Sequence, residues 1–317
     1  MSTIIITESL DEPCAQWLAQ RAKIVRCDHE NTNELNHHLA DADALIVRTY
    51  TKVNKQLLAR APRLKAVGRA GVGLENIDLE ACRQHDVRVV YTPEANTQAV
   101  VEYVLALILD ELRPRHALDE PIDDNTFHEL RQRELGTQLD QVTLGILGFG
   151  RIGKRLGRVV HALGMKLLVN DLISESELRQ AVDYPFRFVD IPVLYRESDV
   201  LTLHVDGRQA NRRLIDAEAL DQLKANCLLV NAARGMLIDT EALVRWASKS
   251  AAHGGRAVLD VHEPEPMPAD YPLYAIPNIR LLPHLAARTH TAMQNMCWVV
   301  RDVMAVLQGE RPKYPAN

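Results

Sequence analysis

The sequence predicts an α/β fold of two doubly wound parallel-sheet domains, and three observations carry that prediction. Apolar runs of strand length alternate with helical patterns through nearly all of the 317 residues. The alternation falls into two sets, divided where Thr92-Pro93 interrupts a strand, because proline has no N–H for a sheet ladder. In the second set, the glycine-rich turn Gly148-Phe149-Gly150-Arg151-Ile152-Gly153 joins a strand to a helix. Strands alternating with helices imply parallel sheets covered on both faces.

Taken in order, the first set has apolar runs at 3–7, 23–27, 44–47, 64–68 and 87–91. A long amphipathic segment follows over 96–113, with Val100, Val101, Val104, Leu105, Ile108 and Leu112 on one face. The second set has strands at 142–147, 166–170, 200–204, 227–230, 257–260 and 279–282, and 289–307 reads as one long helix ended by Gly309 and Pro312. The echoes Ile215–Leu220 and Ile238–Leu243 read as helix starts capped by aspartate. Between 113 and 140 the alternation fails. Pro114, Pro121 and the acids Asp119, Glu120, Asp123 and Asp124 leave little apolar periodicity, which suits a long functional or disordered loop.

Composition narrows the class. At 47% hydrophobic residues the chain can bury large cores, mostly of Leu, Val, Ala and Ile because aromatics are only 5%. The net charge of −5 and the absence of a basic run argue against a nucleic-acid binder. Cys14, Cys27, Cys82, Cys227 and Cys297 are scattered, odd in number and without a CxxC, a pattern of buried free thiols in a reducing compartment. The start, Met1-Ser2-Thr3 before Ile4-Ile5-Ile6 and Glu8, lacks a basic region and a long apolar stretch, so it reads as a strand rather than a signal peptide. No run approaches the roughly 20 apolar residues of a membrane span. A cytoplasmic location is expected.

The glycine turn carries the first chemistry. Gly148 permits a tight turn, Gly150 lets backbone approach a pyrophosphate, and Gly153 lets the helix pack closely on its strand. The N–H groups at the helix start would face the phosphates. Asp171, at the end of the next strand, is placed to accept from an adenosine ribose hydroxyl and to repel a 2′-phosphate. Leu172, Ile173 and Ser174 offer no cation for that phosphate, so NAD is favoured over NADP; a helix N-cap near Ser174 is a compatible plainer reading.

Three strand ends supply candidates for a second chemistry. They are Asn231-Ala232-Ala233-Arg234-Gly235, Asp260-Val261-His262-Glu263-Pro264-Glu265-Pro266 and Leu282-Pro283-His284-Leu285. An arginine fork can hold a carboxylate, a histidine can exchange a proton near neutral pH, and a neighbouring glutamate would raise its pKa. Each has an ordinary alternative: a surface ion pair for Arg234, a solvated turn for Glu265, a structural ring for His284. His204 and His262 are rival histidines at strand ends.

Taken together, the segments resemble the D-isomer-specific 2-hydroxyacid dehydrogenase family over nearly the full length. The likeness rests on Gly71-Val72-Gly73 with Asn76-Ile77-Asp78, Asn96 with Val101-Glu102, the glycine turn, and the three strand ends in the family's order. It implies a Rossmann cofactor domain at 97–286 inserted into a flavodoxin-like substrate domain formed by 1–96 and 287–317. It further implies catalysis by Arg234, Glu265 and His284, with Arg234 on the substrate and His284 as acid/base. Cofactor contacts are implied from Gly148, Gly150, Arg151, Ile152, Gly153, Asp171, His204, Ala232, Ala233 and Asp260, the last on the nicotinamide side. Substrate contacts are implied from Arg48, Arg69, Val72, Gly73 and Asn96. The 113–140 segment resembles a dimerisation arm, so a homodimer is expected, with NAD and a 2-oxo or 2-hydroxy acid as ligands.

Within the family the likeness is greatest to the D-3-phosphoglycerate dehydrogenases, through Leu45-Ile46-Val47-Arg48-Thr49 and Gly68-Arg69-Ala70-Gly71. Arg48 and Arg69 would then face an anionic substrate tail, unless both are ion-paired strand-end residues. Departures bear on the substrate. The chain has no room for the regulatory domains of many such enzymes, Val205-Asp206-Gly207-Arg208-Gln209 replaces a proline-containing turn, and Phe127 stands where tryptophan is common. A glyoxylate or hydroxypyruvate reductase is the alternative. An NAD(H)-sensing binding protein is the alternative of another class, whereas Glu265 argues against a formate-dehydrogenase-like branch, which carries glutamine there.

Overall fold

In the computed structural model, which describes residues 1–115, 117–133 and 135–317, the chain divides into two units. One is Met1–Asn96 with Ala287–Asn317, the other Thr97–Ala286.

The first unit holds strands β1 (Thr3–Ile6), β2 (Lys23–Arg26), β3 (Ala44–Val47), β4 (Ala66–Arg69) and β5 (Arg88–Tyr91), ordered β2-β1-β3-β4-β5 and all parallel. Continuous apolar runs such as Ala44-Leu45-Ile46-Val47 suit such a sheet, because both faces are covered. Leu35, Leu39, Leu45 and Val67 fill one face, and Ile4, Ile6, Ile46, Val300 and Val303 the other. Gly68 decides how closely the last helix lies on β4, since a Cβ there would stand 2.4 Å from Val303 Cγ2.

The single helix expected over 289–307 is instead two, His290–Cys297 and Val299–Leu307. At the junction the Trp298 ring lies edge-on to Trp17, and the Arg301 guanidinium sits 3.9 Å above it. The helical pattern in the sequence runs through this break, where Trp298 has φ −68° and ψ 0°. All five cysteines are free and buried.

The second unit holds β6 (Thr143–Leu147), β7 (Lys166–Asn170), β8 (Arg187–Phe188), β9 (Val200–Leu203), β10 (Leu228–Asn231), β11 (Arg256–Leu259) and β12 (Ile279–Leu281). Their order is β12-β11-β10-β9-β6-β7-β8, again all parallel. The order reverses between β6 and β9, and ligands of open α/β sheets bind at such a switch point. Helix Thr97–Leu112 buries Val100, Val101, Val104 and Ile108 against one face, as its periodicity requires. Asp216 and Asp239 cap their helices by accepting from the N–H groups of Ala219 and Ala242.

Two features differ from the sequence pattern. Edge strand β8 has only two residues, too few for a run to register. The 113–140 segment contains a helix, Asp124–Arg133, with no described residue buried, so it lacks the apolar stripe that marks most helices. Among the described residues no helix is long and apolar enough to cross a membrane.

Candidate active site

The glycine turn leaves β6 at the switch point. Gly148 has φ +92°, and a Cβ there would stand 2.7 Å from the His204 carbonyl carbon at the end of β9. A Cβ on Gly153 would stand 2.4 Å from the Gly148 carbonyl oxygen, so only glycine lets helix Arg151–Ala162 start this close to its strand. Gly150 differs: a Cβ there would meet nothing within 4 Å. Internal packing does not demand that glycine, and the open space at a helix N-terminus is the cradle a pyrophosphate fills. Arg151 is exposed and Ile152 half-buried on the first turn. The residues present fit a dinucleotide.

Asp171 follows β7. Its carboxylate accepts from Phe149 N of the glycine turn and from Ile173 N at 2.8 Å, so it braces the turn from the side. It is half-buried, and its oxygens keep lone pairs for a ribose hydroxyl. Ser174 forms a full capping box with Glu177. Arg208, on the segment after β9, is held by Asp206 at 2.7 Å and lies within electrostatic reach of Asp171. A cation therefore does act on Asp171, beyond the window in which the sequence offers none. Half-buried His204 approaches Thr202 Oγ1 through Nε2 at 3.1 Å; desolvation pushes its pKa down to about 4, so the ring is neutral at physiological pH.

The turns after β10, β11 and β12 come together at the same carboxyl edge. Buried Asn231 folds the first of them, its Oδ1 accepting from Ala233 N at 3.0 Å and its Nδ2 donating to the Arg234 carbonyl at 2.8 Å. Ala232, Ala233 and Arg234 are left half-buried, with Arg234 Nη1 donating to the Ala233 carbonyl at 2.6 Å. Gly235 abuts the next turn, for a Cβ there would stand 2.0 Å from the His262 carbonyl carbon.

Asp260 is fully buried and ends β11. Its Oδ1 accepts from Leu285 N at 2.8 Å and Tyr103 Oη at 3.1 Å, its Oδ2 from Ala286 N at 2.9 Å. This carboxylate therefore clamps the two residues after His284, a role no local sequence signal reveals. His262 Nε2 lies 2.7 Å from the Leu282 carbonyl, tying the same two strand ends. Glu265 Oε1 accepts from His262 N at 2.7 Å, and its Oε2 lies 2.8 Å from His284 Nδ1.

The electrostatics follow from those contacts. The hydrogen bond to Glu265 is the main reason the His284 imidazole titrates above its ordinary range; desolvation and the positive charge of Arg234 oppose it. Burial alone would raise the Glu265 carboxyl, but the bonds from His284 and the His262 amide hold it below the usual range. His284 also has φ +56°, a left-handed backbone that histidine adopts at some cost. Arg234, Glu265 and His284 thus form one cluster, with Nε2 as the imidazole atom not committed to Glu265.

The first unit carries the remaining candidates. Glu8, after β1, accepts from the backbone N–H groups of Arg48 at 2.9 Å, Thr49 at 2.8 Å and Tyr50 at 3.2 Å, shaping the turn after β3. Asn76 donates to the carbonyls of Arg48 and Thr51 at 3.1 and 2.8 Å, so this member of the recognised motif is a brace. The Arg48 guanidinium donates to Ser9 O at 3.2 Å and to Met293 Sδ at 3.4 Å. Arg69 ends β4 and donates to Ala70 O at 3.2 Å, folding over residue 71 where a side chain would collide with it. Val72 and Gly73 are half-buried in the turn that follows, and Thr92 holds that turn by donating to Gly71 O at 3.1 Å. Asn96 closes this part of the unit, its buried Oδ1 without a hydrogen-bond partner among the described residues.

Comparison with known proteins identifies the family. The family model for the D-isomer-specific 2-hydroxyacid dehydrogenase NAD-binding domain matches residues 105–286. The chain is 36% identical over 307 residues to (S)-sulfolactate dehydrogenase of Chromohalobacter salexigens, covering 95% of this chain and 97% of that one. It is 33% identical to D-3-phosphoglycerate dehydrogenase of Methanocaldococcus jannaschii, covering 100% of this chain but 60% of that longer protein. Among solved structures, the D-lactate dehydrogenase of Aquifex aeolicus, complexed with NAD and lactic acid, matches with a TM-score of 0.80 and 25% identity over 98% of this chain and 96% of that one. The chain belongs to the D-isomer-specific 2-hydroxyacid dehydrogenase family, NAD-dependent oxidoreductases acting on CH–OH groups.

Proposed function

We propose that this dehydrogenase works through Arg234, Glu265 and His284 on a 2-oxo acid or D-2-hydroxyacid carrying a second anionic group. The observation that carries the reading is the 2.8 Å contact of His284 Nδ1 with Glu265, within electrostatic reach of Arg234. When bound, the nicotinamide supplies hydride to C2 of the oxo acid in reduction and accepts it in oxidation. His284 in its protonated form gives a proton from Nε2 to the carbonyl oxygen, and takes it back in the reverse direction. Glu265 keeps that ring protonated and fixes which nitrogen faces substrate. Arg234 holds the carboxylate and polarises the carbonyl through its planar fork. Asp260 acts in this scheme by holding the backbone after His284, together with any contact toward the nicotinamide side.

The pH dependence follows from the shifted groups. Reduction needs imidazolium, so kcat/KM for the oxo acid is high below the raised His284 pKa and falls as pH rises through it. Glu265→Gln removes the largest cause of the raised value, and the falling limb is expected to move to lower pH. A pH–rate profile identical to the parent's would take Glu265 out of the mechanism.

The substrate reading rests on Arg48 and Arg69 at neighbouring strand ends of the first unit, whose Val72, Gly73 and Asn96 would add further substrate contacts. The names of two relatives support it, since sulfolactate and 3-phosphoglycerate each bear a strong anion beyond the carboxylate. NADH oxidation is measured against 3-sulfopyruvate, phosphohydroxypyruvate, hydroxypyruvate, glyoxylate and pyruvate. A preference for the doubly anionic acids, lost when Arg48 and Arg69 are changed to glutamine with pyruvate turnover retained, is the expected result. A preference for glyoxylate or hydroxypyruvate would favour the reductase alternative and remove the tail contacts.

The second copy expected as partner has support in helix Asp124–Arg133 and its surroundings, where Leu118, Ile122 and Phe127 are exposed apolar residues. A monomer by sedimentation would remove that reading. Five buried free thiols suit a reducing, cytoplasmic setting.

A further inference from the structure

Beyond the dehydrogenase chemistry, we propose that Cys27, Glu34 and His38 form a binding site for one zinc-class transition-metal ion on the first unit. Their ligand atoms, a thiol sulfur, a carboxylate oxygen and an imidazole nitrogen, all lie within 4.8 Å of one another.

The local fold builds this cluster. Cys27 directly follows β2 at the carboxyl edge of the sheet, is 4% exposed, and is fixed by its N–H bond to the Ile6 carbonyl at 3.0 Å. Glu34 and His38 stand four residues apart on helix Thr32–Leu39, so they share one helix face. Asn31 caps that helix by accepting from Glu34 N, and its Nδ2 donates to Glu34 Oε2 at 2.9 Å. A carboxylate steered from behind in this way is the usual support of a metal ligand. Glu34 is exposed and His38 half-buried, so an ion reaches the site from solvent and meets the sulfur beneath.

The donor set selects the ion. Sulfur, nitrogen and oxygen together suit zinc and its neighbours and disfavour calcium or magnesium, which take oxygen ligands. Zinc bonds of about 2.0–2.3 Å place tetrahedral donors roughly 3.3–3.8 Å apart, so binding would draw together donors that now lie within 4.8 Å of one another. Water would complete the fourth position. Asp28 and Glu30, on the segment between strand and helix, add negative charge nearby; His29 is engaged by Asp28 at 3.2 Å and its ring stacks on Tyr50. Bound there, the ion would pin helix Thr32–Leu39 to edge strand β2.

The test uses the full-length reduced protein and Co²⁺ as a spectroscopic probe. The expected result is a near-ultraviolet thiolate-to-cobalt band with the visible bands of four-coordinate cobalt, saturating at one equivalent and bleached by Zn²⁺. Cys27→Ser should abolish the near-ultraviolet band and the zinc-induced rise in melting temperature while leaving dehydrogenase turnover at the parent level. Glu34→Gln and His38→Ala, on the exposed side of the cluster, should each weaken zinc binding at least about tenfold. No thiolate band in the parent, a band that survives Cys27→Ser, or unchanged affinity in both helix variants would each overturn the proposal.

Discussion

His284→Ala is expected to lower turnover about 10²–10⁴-fold, the range for removal of a positioned acid/base. The argument runs through the contacts rather than through the residue type. Glu265 holds Nδ1 at 2.8 Å and keeps the imidazole protonated at higher pH than an ordinary histidine, which in the proposed mechanism makes the ring the proton donor to an oxo acid. Alanine leaves neither a donor nor a path for the proton. NADH affinity should change little, because the glycine turn follows β6 while His284 follows β12. The KM for the oxo acid should also hold within a small factor, since Arg234 remains to bind the carboxylate. The loss therefore falls on kcat, and the pH limb assigned to His284 disappears with it. Near-parental turnover would remove His284 from its role.

Gly235→Ala is the second large effect, and it acts through backbone. The new Cβ would stand 2.0 Å from the His262 carbonyl carbon and 2.1 Å from its oxygen, so the chain at 262 must move. His262 gives its amide to Glu265 and places its ring on the Leu282 carbonyl, so the displacement passes to the approach of His284 and to the end of β12. Overpacking of this kind costs about 1–3 kcal/mol, measurable as a lower denaturant midpoint. Turnover should fall as well, because Arg234 and Glu265 shift together. A variant matching the parent in both midpoint and kcat would show that the two turns are looser than their geometry implies.

Much of the fold was legible because parallel α/β sheets write each strand as a local apolar run and each crossover as a local helix. The strands at 44–47, 166–170 and 200–203 needed no distant information. Features that depend on length or packing were harder to read. The two-residue β8 is too short to register, the exposed helix Asp124–Arg133 lacks an apolar stripe, and the apolar periodicity runs unbroken through the helix break at Trp298.

The candidate site divides along the same line. The glycine turn, Asp171, Arg234, Glu265 and His284 could be named because each closes a strand with a recognisable segment. Their pairing came from the family resemblance and not from any local pattern, since it needs the order β12-β11-β10 to bring residues 19 or more positions apart into contact. Asp260 clamps amides 25 and 26 positions ahead, Glu8 collects amides 40 or more positions on, and Arg208 comes within electrostatic reach of Asp171 although β6 separates the strands they follow. A carboxylate that serves backbone groups 25 or more positions away leaves no local motif, unlike the helix-capping Asp216 and Asp239.

The distribution of the five buried thiols has a practical consequence. Cys14, Cys27, Cys82 and Cys297 belong to the first unit, and Cys227 to the second, where it is wholly shielded beside β10. A thiol reagent can reach the sulfurs of Cys14, Cys82 and Cys227, each wholly shielded, only when the surrounding structure opens, so its rate of modification tracks an opening equilibrium. Modification at Cys227 therefore times the breathing of the dinucleotide unit by itself, and modification at Cys14 or Cys82 times that of the other. The protein carries its own separate clocks for the two units of its fold, readable by mass spectrometry without an added label site.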